Sequence, residues 1–233
     1  MKHLTKLTVC LITIALVGSS KSGINWLKIS QTYAARPPGI PLNSIALNPF
    51  AINRLAQQIT VEIIVPATAT GGGRFSRRGS GVIIGKEGST YYVLTALHTF
   101  RNNNDYRVAI LSTKPGGDVE RQKLEIMERY PDEDLAVVTF ASLEDYKVAE
   151  LGEGSELSNN SQVYVAGWPI NENGGGFQFT PARVTNQPRG DNLTYEPVEP
   201  GEGVYRGMSG GPILNEDGQL VGIHRGETGG DGE

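Results

Sequence analysis

Residues 91–98, YYVLTALH, form a run of aromatic and β-branched side chains that ends on a histidine. This composition is typical of a buried strand. The turn residues 85–88 separate it from a second apolar run, 82–84, so the two runs predict a β-hairpin. Turn residues also separate nearly all of the further short apolar segments, which lie at 59–65, 107–111, 135–140, 162–166, 177–180 and 220–224. A helical period occurs only at 123–129, and the sequence therefore predicts an all-β fold, a barrel or a sandwich.

The composition supports this fold class and excludes several others. The chain has 233 residues, of which 38% are hydrophobic and 20% charged, so it can bury a core and is not a disordered protein. It contains 30 glycines and 13 prolines, which favour short strands and tight turns. The net charge of -4 comes from 21 basic and 25 acidic residues without a basic stripe. Nucleic acid is therefore not an expected partner.

The N-terminus has the pattern of an export signal over residues 1–20. Lys2 and Lys6 precede an apolar run at 7–18, and small residues follow at 18–20. The apolar run is shorter than the roughly 20 residues that a membrane-spanning helix needs. We expect cleavage, no membrane span afterwards, and a periplasmic or extracellular location. The alternative is an uncleaved N-terminal anchor.

Behind the signal, the sequence predicts a linker or pro-segment at 21–53 and one folded domain at 54–233. The 21–53 segment is rich in Pro, Asn and Ser and has no clear period. The single cysteine, Cys10, lies within the predicted signal. The mature chain would thus have neither a disulfide nor a cysteine nucleophile, and core packing must hold it together.

Few residues remain for metal or cofactor chemistry. Of three histidines, His3 lies in the predicted signal, which leaves His98 and His224. The sequence contains no HExxH pair, no cluster of His and Cys, and no Walker-type phosphate loop. It therefore predicts neither a metal nor a cofactor.

The motif GMSGGP, residues 207–212, places a serine between glycines at the start of a predicted strand. Acyl transfer by a serine requires an exposed Oγ and backbone N–H groups that side chains do not block. Ser209 is therefore a candidate nucleophile, and the N–H groups of Gly207 and Ser209 are candidate donors to an oxyanion. The alternative is a glycine-rich turn with an ordinary serine.

Two further residues are candidates to complete a catalytic triad. His98 ends an apolar strand, and imidazole is a suitable base for a serine hydroxyl near neutral pH. Asp134 lies in DEDLAVV, residues 132–138, where an acidic run meets a buried strand. A carboxylate there can fix the tautomer of the imidazole and stabilise its charged form. The alternative for His98 is a purely structural histidine at a strand end.

The motifs TALH, DLAVV and GMSGGP, in that order, resemble the catalytic blocks of the chymotrypsin-like, trypsin-fold serine proteases. The chain is most similar to their disulfide-free bacterial branches, the HtrA-type and glutamyl-endopeptidase-type enzymes, over about residues 59–227. The resemblance implies two antiparallel β-barrels, with His98 and Asp134 from the first and Ser209 from the second. It also implies a secreted serine endopeptidase that hydrolyses polypeptide substrates through an acyl-enzyme.

The resemblance extends to a specificity pocket for P1, the substrate residue before the cleaved bond. Residues 222–227, GIHRGE, resemble the strand that forms one wall of this pocket. In glutamyl-specific relatives a histidine at the position of His224 contacts an acidic P1 side chain, which implies a preference for acidic P1 residues. The alternative is that His224 only packs in its strand. The substrate-binding residues implied in this way are Gly203, Val204, His224, Arg225 and Gly226.

Two departures from the family pattern keep a second hypothesis open. Met208 stands where the digestive enzymes have an aspartate, so their activating salt bridge to a freed N-terminus cannot form. Residues 227–233 contain no apolar side chain, and we expect the second barrel to be incomplete at the C-terminus, with an open sheet edge. The alternative function is accordingly a catalytically inactive or truncated protease homologue that acts as a peptide-binding module. The sequence does not indicate an oligomeric state.

Overall fold

The computed structural model describes the chain in separate ranges: residues 6–11, 47–66, 75–100, 105–111, 119–170, 176–189, 192–199 and 203–228. Residues 1–5 and 12–20 of the predicted signal, and 21–46 of the predicted linker, lie outside these ranges. Within the ranges, no helix has the length and apolar character that crossing a membrane requires.

Antiparallel strands dominate the described residues. Their order is β1 (Lys6–Leu11), β2 (Thr60–Pro66), β3 (Phe75–Glu87), β4 (Thr90–Ala96), β5 (Arg107–Leu111), β6 (Val119–Lys123), β7 (Glu125–Tyr130), β8 (Leu135–Ala141), β9 (Gln162–Gly167), β10 (Gln178–Arg189), β11 (Asn192–Pro197), β12 (Pro212–Leu214) and β13 (Leu220–Thr228). The predicted all-β class is confirmed. The helical period at 123–129 was misleading: this segment runs from the last residue of β6 into β7, which pairs antiparallel with β8.

The α-helix α1 (Pro49–Ile59) lies between β1 and β2 in the chain and begins inside the predicted linker. The Asn48 side chain caps it by accepting a hydrogen bond from the Ala51 N–H at 2.9 Å, and proline suits the first helical position. Ile52, Ala56 and Ile59 are fully buried. Their spacing of four and three residues places them on one face of the helix.

The first sheet has seven strands in the order β6-β5-β2-β3-β4-β8-β7 and forms a half-barrel. The predicted hairpin is present as β3 and β4, which pair from Gly81 with Thr95 to Glu87 with Thr90. Next to it, β4 pairs with β8 so that Ala96 lies opposite Leu135. This register brings the C-terminal end of β4 and the N-terminal end of β8 to the same edge.

The second sheet is a closed barrel in the order β1-β11-β10-β9-β12-β13. Its interior is formed by buried aliphatic side chains that include Val163, Val184, Leu193 and Ile213. Residues 6–11 pair antiparallel with both β11 and β13. This pairing corrects the expected incomplete barrel: the edge that the C-terminus was expected to leave open is hydrogen-bonded to β1, within the segment predicted as a signal.

A shared apolar cluster joins the two sheets. Leu94 and Val137 contribute from the first sheet, and Ala166 and Ile223 contribute from the second. Helix α1 packs against the same cluster through its buried face. The ends of β4, β8 and β13 are thereby held close to one another, and this is where the candidate catalytic residues lie.

Candidate active site

His98 and Asp134 meet at the edge where β4 and β8 end side by side. After Ala96 the chain makes one turn of 3-10 helix, Leu97–Thr99, which carries His98. One oxygen of Asp134, Oδ2, lies 2.6 Å from His98 Nδ1, and the other, Oδ1, accepts the His98 backbone N–H at 2.9 Å. The Asp134 carbonyl in turn accepts the Leu97 N–H at 2.9 Å. Both carboxylate oxygens of Asp134 therefore hold the same residue, His98.

The backbone of Asp134 adopts an unusual conformation with φ of 52°. Aspartate and asparagine tolerate this left-handed region better than most residues other than glycine. The conformation directs the carboxylate to His98 just before β8 begins. The side chains of His98 and Asp134 are 33% and 32% exposed, so water and substrate can reach this pair.

The chain around Ser209 depends on glycines at close contacts. Gly207 has φ of +97°, and a Cβ there would lie 2.5 Å from the Ile170 nitrogen. Gly210 has φ of +87°, and a Cβ there would lie 2.1 Å from the Ser80 carbonyl oxygen. Any side chain at these positions would clash with backbone atoms. The glycine-framed motif thus permits the Ser209 loop to pack directly on both sheets.

Ser209 lies beside the C-terminal end of β4, which leads to His98. This is shown by its neighbour Gly210, where a Cβ would be only 2.9 Å from the Ala96 nitrogen. Ser209 Oγ donates a hydrogen bond to the Arg225 carbonyl at 3.5 Å. Among the described residues, no hydrogen bond joins Ser209 to His98. Catalytic hydrogen bonds are often long or poorly aligned when no substrate is bound.

In the Ser209 loop, backbone N–H groups that donate a hydrogen bond alternate with N–H groups that have no acceptor among the described residues. The Met208 N–H donates to a carbonyl oxygen 3.0 Å away and the Gly210 N–H to another 2.7 Å away. Within the part of the chain that the structure describes, the N–H groups of Gly207 and Ser209 have no acceptor. Two free backbone donors on either side of one residue can bind an oxyanion.

The predicted pocket residues lie on two segments. Gly203 and Val204 precede the Ser209 loop, and the Gly203 carbonyl accepts the Thr180 hydroxyl at 3.1 Å. Val204 is buried in the core of the second barrel. Gly226, on β13, has φ of +141°, and a Cβ built on it would have no heavy atom of the described residues within 4 Å, apart from its chain neighbours. Open space therefore adjoins β13 at Gly226.

His224 is 98% buried on β13, where its Nδ1 lies 2.8 Å from the Tyr195 hydroxyl. Burial lowers the pKa of His224 to about 3, and the nearby His98 adds to this effect. Burial raises the pKa of Tyr195, so its hydroxyl stays protonated. Among the described residues, His224 is the only hydrogen-bond partner of this hydroxyl. Tyr195 therefore donates to Nδ1, and the neutral imidazole carries its proton on Nε2.

The guanidinium of Arg225 is directed at the first sheet. It donates to the Glu133 carbonyl at 2.9 Å and also to the Asn192 side-chain oxygen. Glu133 immediately precedes Asp134. Arg225 therefore connects strand β13 to the loop that carries the carboxylate of the His98 pair.

Sequence reasoning missed two buried hydroxyl residues near the site, Ser80 and Tyr195. Ser80 bonds to the Ser209 loop, and its only signal in the sequence was its place between Gly79 and Gly81. Tyr195 has no signal of its own, since an aromatic residue in a strand is ordinary. Among the residues that the structure describes, no group of three or more His, Cys, Asp or Glu side chains is placed to hold a metal ion.

Comparisons with known proteins place this geometry in a family. The trypsin-like peptidase domain matches residues 79–223. The chain is 28% identical over 169 residues to the serine protease Do-like HtrA of Lactococcus lactis subsp. lactis, covering 67% of this chain and 39% of that protein. It is 30% identical over 152 residues to a probable periplasmic serine endoprotease DegP-like of Hahella chejuensis, covering 63% and 29%. The chain thus spans less than half the length of these relatives.

The fold agrees with solved structures of the same kind. The crystal structure of Deg5 superimposes with a TM-score of 0.61 at 17% identity, covering 76% of this chain and 83% of that one. The family match covers more than half of the chain and includes the segments that carry His98, Asp134 and Ser209. The chain belongs to the trypsin-like peptidase domain family and is similar to its HtrA-type serine proteases.

Proposed function

We propose that this protein is a serine endopeptidase in which Ser209, His98 and Asp134 form the catalytic triad. The observation that carries the proposal is the pair of hydrogen bonds that the Asp134 carboxylate accepts from His98, beside a glycine-framed serine with free N–H groups on its loop. Family membership supports the same reaction, because the relatives are named serine proteases.

In the first half of the reaction, Ser209 Oγ attacks the carbonyl carbon of the peptide bond. His98 Nε2 accepts the hydroxyl proton, and Asp134 stabilises the imidazolium through Nδ1–H. The carbonyl oxygen becomes an oxyanion and accepts hydrogen bonds from the Gly207 and Ser209 N–H groups. By analogy with deletions in other enzymes, each such donor contributes about 3–4 kcal/mol.

In the second half, the imidazolium gives its proton to the leaving amine and the carbon–nitrogen bond breaks. The acyl group remains on Ser209 Oγ as an ester. Water then attacks this ester with His98 as the base, and the acid product and free Ser209 are restored. No metal or cofactor takes part in these steps.

For substrate choice, we propose a preference for acidic P1 residues through His224. The contact with Tyr195 leaves the proton of His224 on Nε2, which is the form that donates a hydrogen bond to a carboxylate. With its pKa lowered to about 3, His224 acts as a neutral donor and not as a fixed positive charge. The Arg225 guanidinium bonds to the first sheet and contributes only long-range positive charge.

The proposed setting is outside the cytoplasm, with polypeptides as substrates. The export pattern at residues 1–20 supports this setting, and the DegP-like relative from Hahella chejuensis is named as periplasmic. The domain boundaries proposed from the sequence are kept with two differences: helix α1 begins at Pro49, inside the predicted linker, and residues 6–11, inside the predicted signal, pair with β11 and β13.

One observation favours the alternative of a non-catalytic peptide-binding module. Ser209 Oγ bonds to the Arg225 carbonyl and not to His98. In a catalytic protein the Ser209 side chain must turn to His98 when a substrate binds, whereas a binding module has no such requirement. The two functions therefore differ in the reactivity of Ser209.

The test is serine-dependent cleavage. The full chain, a Ser209→Ala variant and a Ser155→Ala control at an exposed serine are each incubated with a denatured protein mixture. We expect new termini, identified by mass spectrometry, from the parent and the control only. A fluorophosphonate probe labels Ser209 in a catalytic chain. Folded protein that gives no serine-dependent cuts and no label would refute the endopeptidase and leave peptide binding.

The acidic preference has its own test with peptides that differ only at P1. We expect kcat/KM to be at least tenfold higher with Glu than with Gln or Ala, because a hydrogen bond to a charged group contributes about 1.5–3 kcal/mol. His224→Phe keeps a ring in the buried site and is expected to remove the preference for Glu while Ala peptides are cleaved as before. An unchanged preference in His224→Phe would exclude His224 from P1 recognition.

A further inference from the structure

Ser80 lies in the first sheet, on β3, but its hydrogen bonds reach the loop of the second barrel that carries Ser209. Ser80 is fully buried. Its backbone N–H donates to the Ser209 carbonyl at 2.8 Å. Its hydroxyl donates to the Gly207 carbonyl at 2.9 Å and accepts the Trp168 N–H at 2.8 Å. Its own carbonyl accepts the Thr95 hydroxyl at 2.6 Å.

The direction of the Gly207 N–H is fixed by a hydrogen bond close to these Ser80 contacts. That N–H belongs to the peptide group whose carbonyl is on Arg206, and this carbonyl accepts the Ile170 N–H at 2.7 Å. Because a peptide group is planar and trans, fixing the carbonyl also fixes the N–H on its opposite side. Ile170 follows Trp168 closely in the chain, and Trp168 is bonded to the Ser80 hydroxyl.

The same serine determines the direction of the Ser209 N–H. The peptide group that carries this N–H lies between two peptide groups whose carbonyls, on Gly207 and Ser209, are both bonded to Ser80. Only the torsions of Met208 and Ser209 separate these two fixed points. Ser80 thus holds the chain on both sides of the second proposed oxyanion donor.

We propose that Ser80 is the positioning residue of the oxyanion hole, holding the Gly207 and Ser209 N–H groups in the direction that the transition state requires. The inference rests on the proposed endopeptidase function. Ser80 does not touch the substrate; it acts through the loop. An oxyanion forms only in the transition state, so the role affects kcat and leaves ground-state binding of the peptide unaffected.

The principal test is Ser80→Ala in the full chain, with Ser76→Ala as a matched control at an exposed position of the same strand. The alanine leaves the Gly207 carbonyl and the Trp168 N–H without their partner and retains the backbone bond to Ser209. We expect kcat to fall about 10- to 100-fold, which is no more than the loss caused by removing one oxyanion-hole donor entirely. We expect KM to change by less than about twofold.

Two binding measurements separate positioning from a general loss of structure. A peptide aldehyde forms a tetrahedral adduct with Ser209 and places an oxygen in the hole, so its affinity is expected to fall in parallel with kcat/KM. The uncleaved peptide, measured by fluorescence anisotropy in a Ser209→Ala background, is expected to bind equally well with and without Ser80→Ala. Equal losses for the aldehyde and the uncleaved peptide would refute the proposal.

Thr95 provides a second route if Ser80→Ala fails to fold. Thr95→Val removes the hydroxyl that holds the Ser80 carbonyl, and Thr95→Ser keeps it. We expect the valine variant to lose kcat at constant KM and the serine variant to retain it. Valine and serine variants with the same kcat would overturn the inference.

Failure of this proposal and failure of the proposed function give different results. A parent chain that cleaves no peptide and takes up no fluorophosphonate overturns the endopeptidase, and the positioning role falls with it. A parent chain that cleaves, together with a Ser80→Ala variant of unchanged kcat and aldehyde affinity, overturns only the role of Ser80.

Discussion

Replacing Asp134 with asparagine tests the proposed triad through the two hydrogen bonds that this side chain accepts. The carboxylate accepts the His98 backbone N–H on Oδ1 at 2.9 Å and the ring Nδ1–H on Oδ2 at 2.6 Å. An asparagine has the same shape but only one acceptor oxygen. The backbone N–H cannot change, so the amide oxygen stays with it and the amide NH2 faces Nδ1.

The imidazole then adapts by moving its proton to Nε2, because Nδ1 must accept the hydrogen bond from the amide. His98 in this tautomer has no lone pair on Nε2 to accept the Ser209 proton. We expect kcat to fall about 10⁴-fold, which corresponds to about 5 kcal/mol of activation free energy. The fold is expected to remain, since asparagine also tolerates the left-handed backbone at this position, where φ is 52°.

The assay is the hydrolysis of a fluorogenic peptide, with thermal unfolding measured on the same samples. Asp132→Asn is the control, because Asp132 is exposed two positions earlier and receives no hydrogen bond from His98. We expect the control to retain the parent kcat. A folded Asp134→Asn variant with kcat within about tenfold of the parent would show that Asp134 does not select the tautomer of the catalytic base.

Three other predictions concern stability and the contacts around the site. Gly210→Ala is expected to destabilise the fold by more than about 2 kcal/mol, measured by urea unfolding, because the added methyl would lie 2.1 Å from the Ser80 carbonyl oxygen. Gly88→Ala is the control with the milder effect, because a Cβ there would meet no described atom within 4 Å. His224 is neutral when folded, with a pKa of about 3, but is protonated below about pH 6.5 when unfolded. The free energy of unfolding therefore falls as the pH drops from 6.5 towards 3. In His224→Phe we expect the slope of unfolding free energy against pH to be smaller by up to about 1.4 kcal/mol per pH unit. Parallel plots of unfolding free energy against pH for the parent and the variant would contradict the burial argument. Arg225→Gln removes the hydrogen bond to the Glu133 carbonyl. We expect it to lower the free energy of unfolding by about 1 kcal/mol more than Arg54→Gln, a control at an exposed arginine. Equal free energies of unfolding in the two variants would mean that this contact does not hold the loop.

The sequence was most informative where a local pattern decides the structure. The β-branched run before His98 and the apolar run after Asp134 predicted two strands, and the register of β4 with β8 then brings the two residues together. The glycines around Ser209 predicted a loop without obstructing side chains, and their close contacts explain why glycine is needed.

The remaining features depend on contacts between distant parts of the chain. The hydroxyl of Ser80 bonds to a carbonyl 127 positions away, and no local period or propensity encodes such a contact. The pairing of residues 6–11 with β11 and β13 is equally non-local. Helix α1 was missed for a different reason: its signals, Asn48 and Pro49, stand in a stretch whose composition is that of a linker.

The division of the proposed site between two sheets has a consequence for the newly made chain. The base and its carboxylate lie on the first sheet, and the nucleophile lies on a loop of the second that Ser80 of the first must hold. If the proposed triad is the catalytic one, a chain with only one half folded has no working site. The onset of peptide cleavage during refolding would then mark the time at which the two halves dock, so activity would report complete folding.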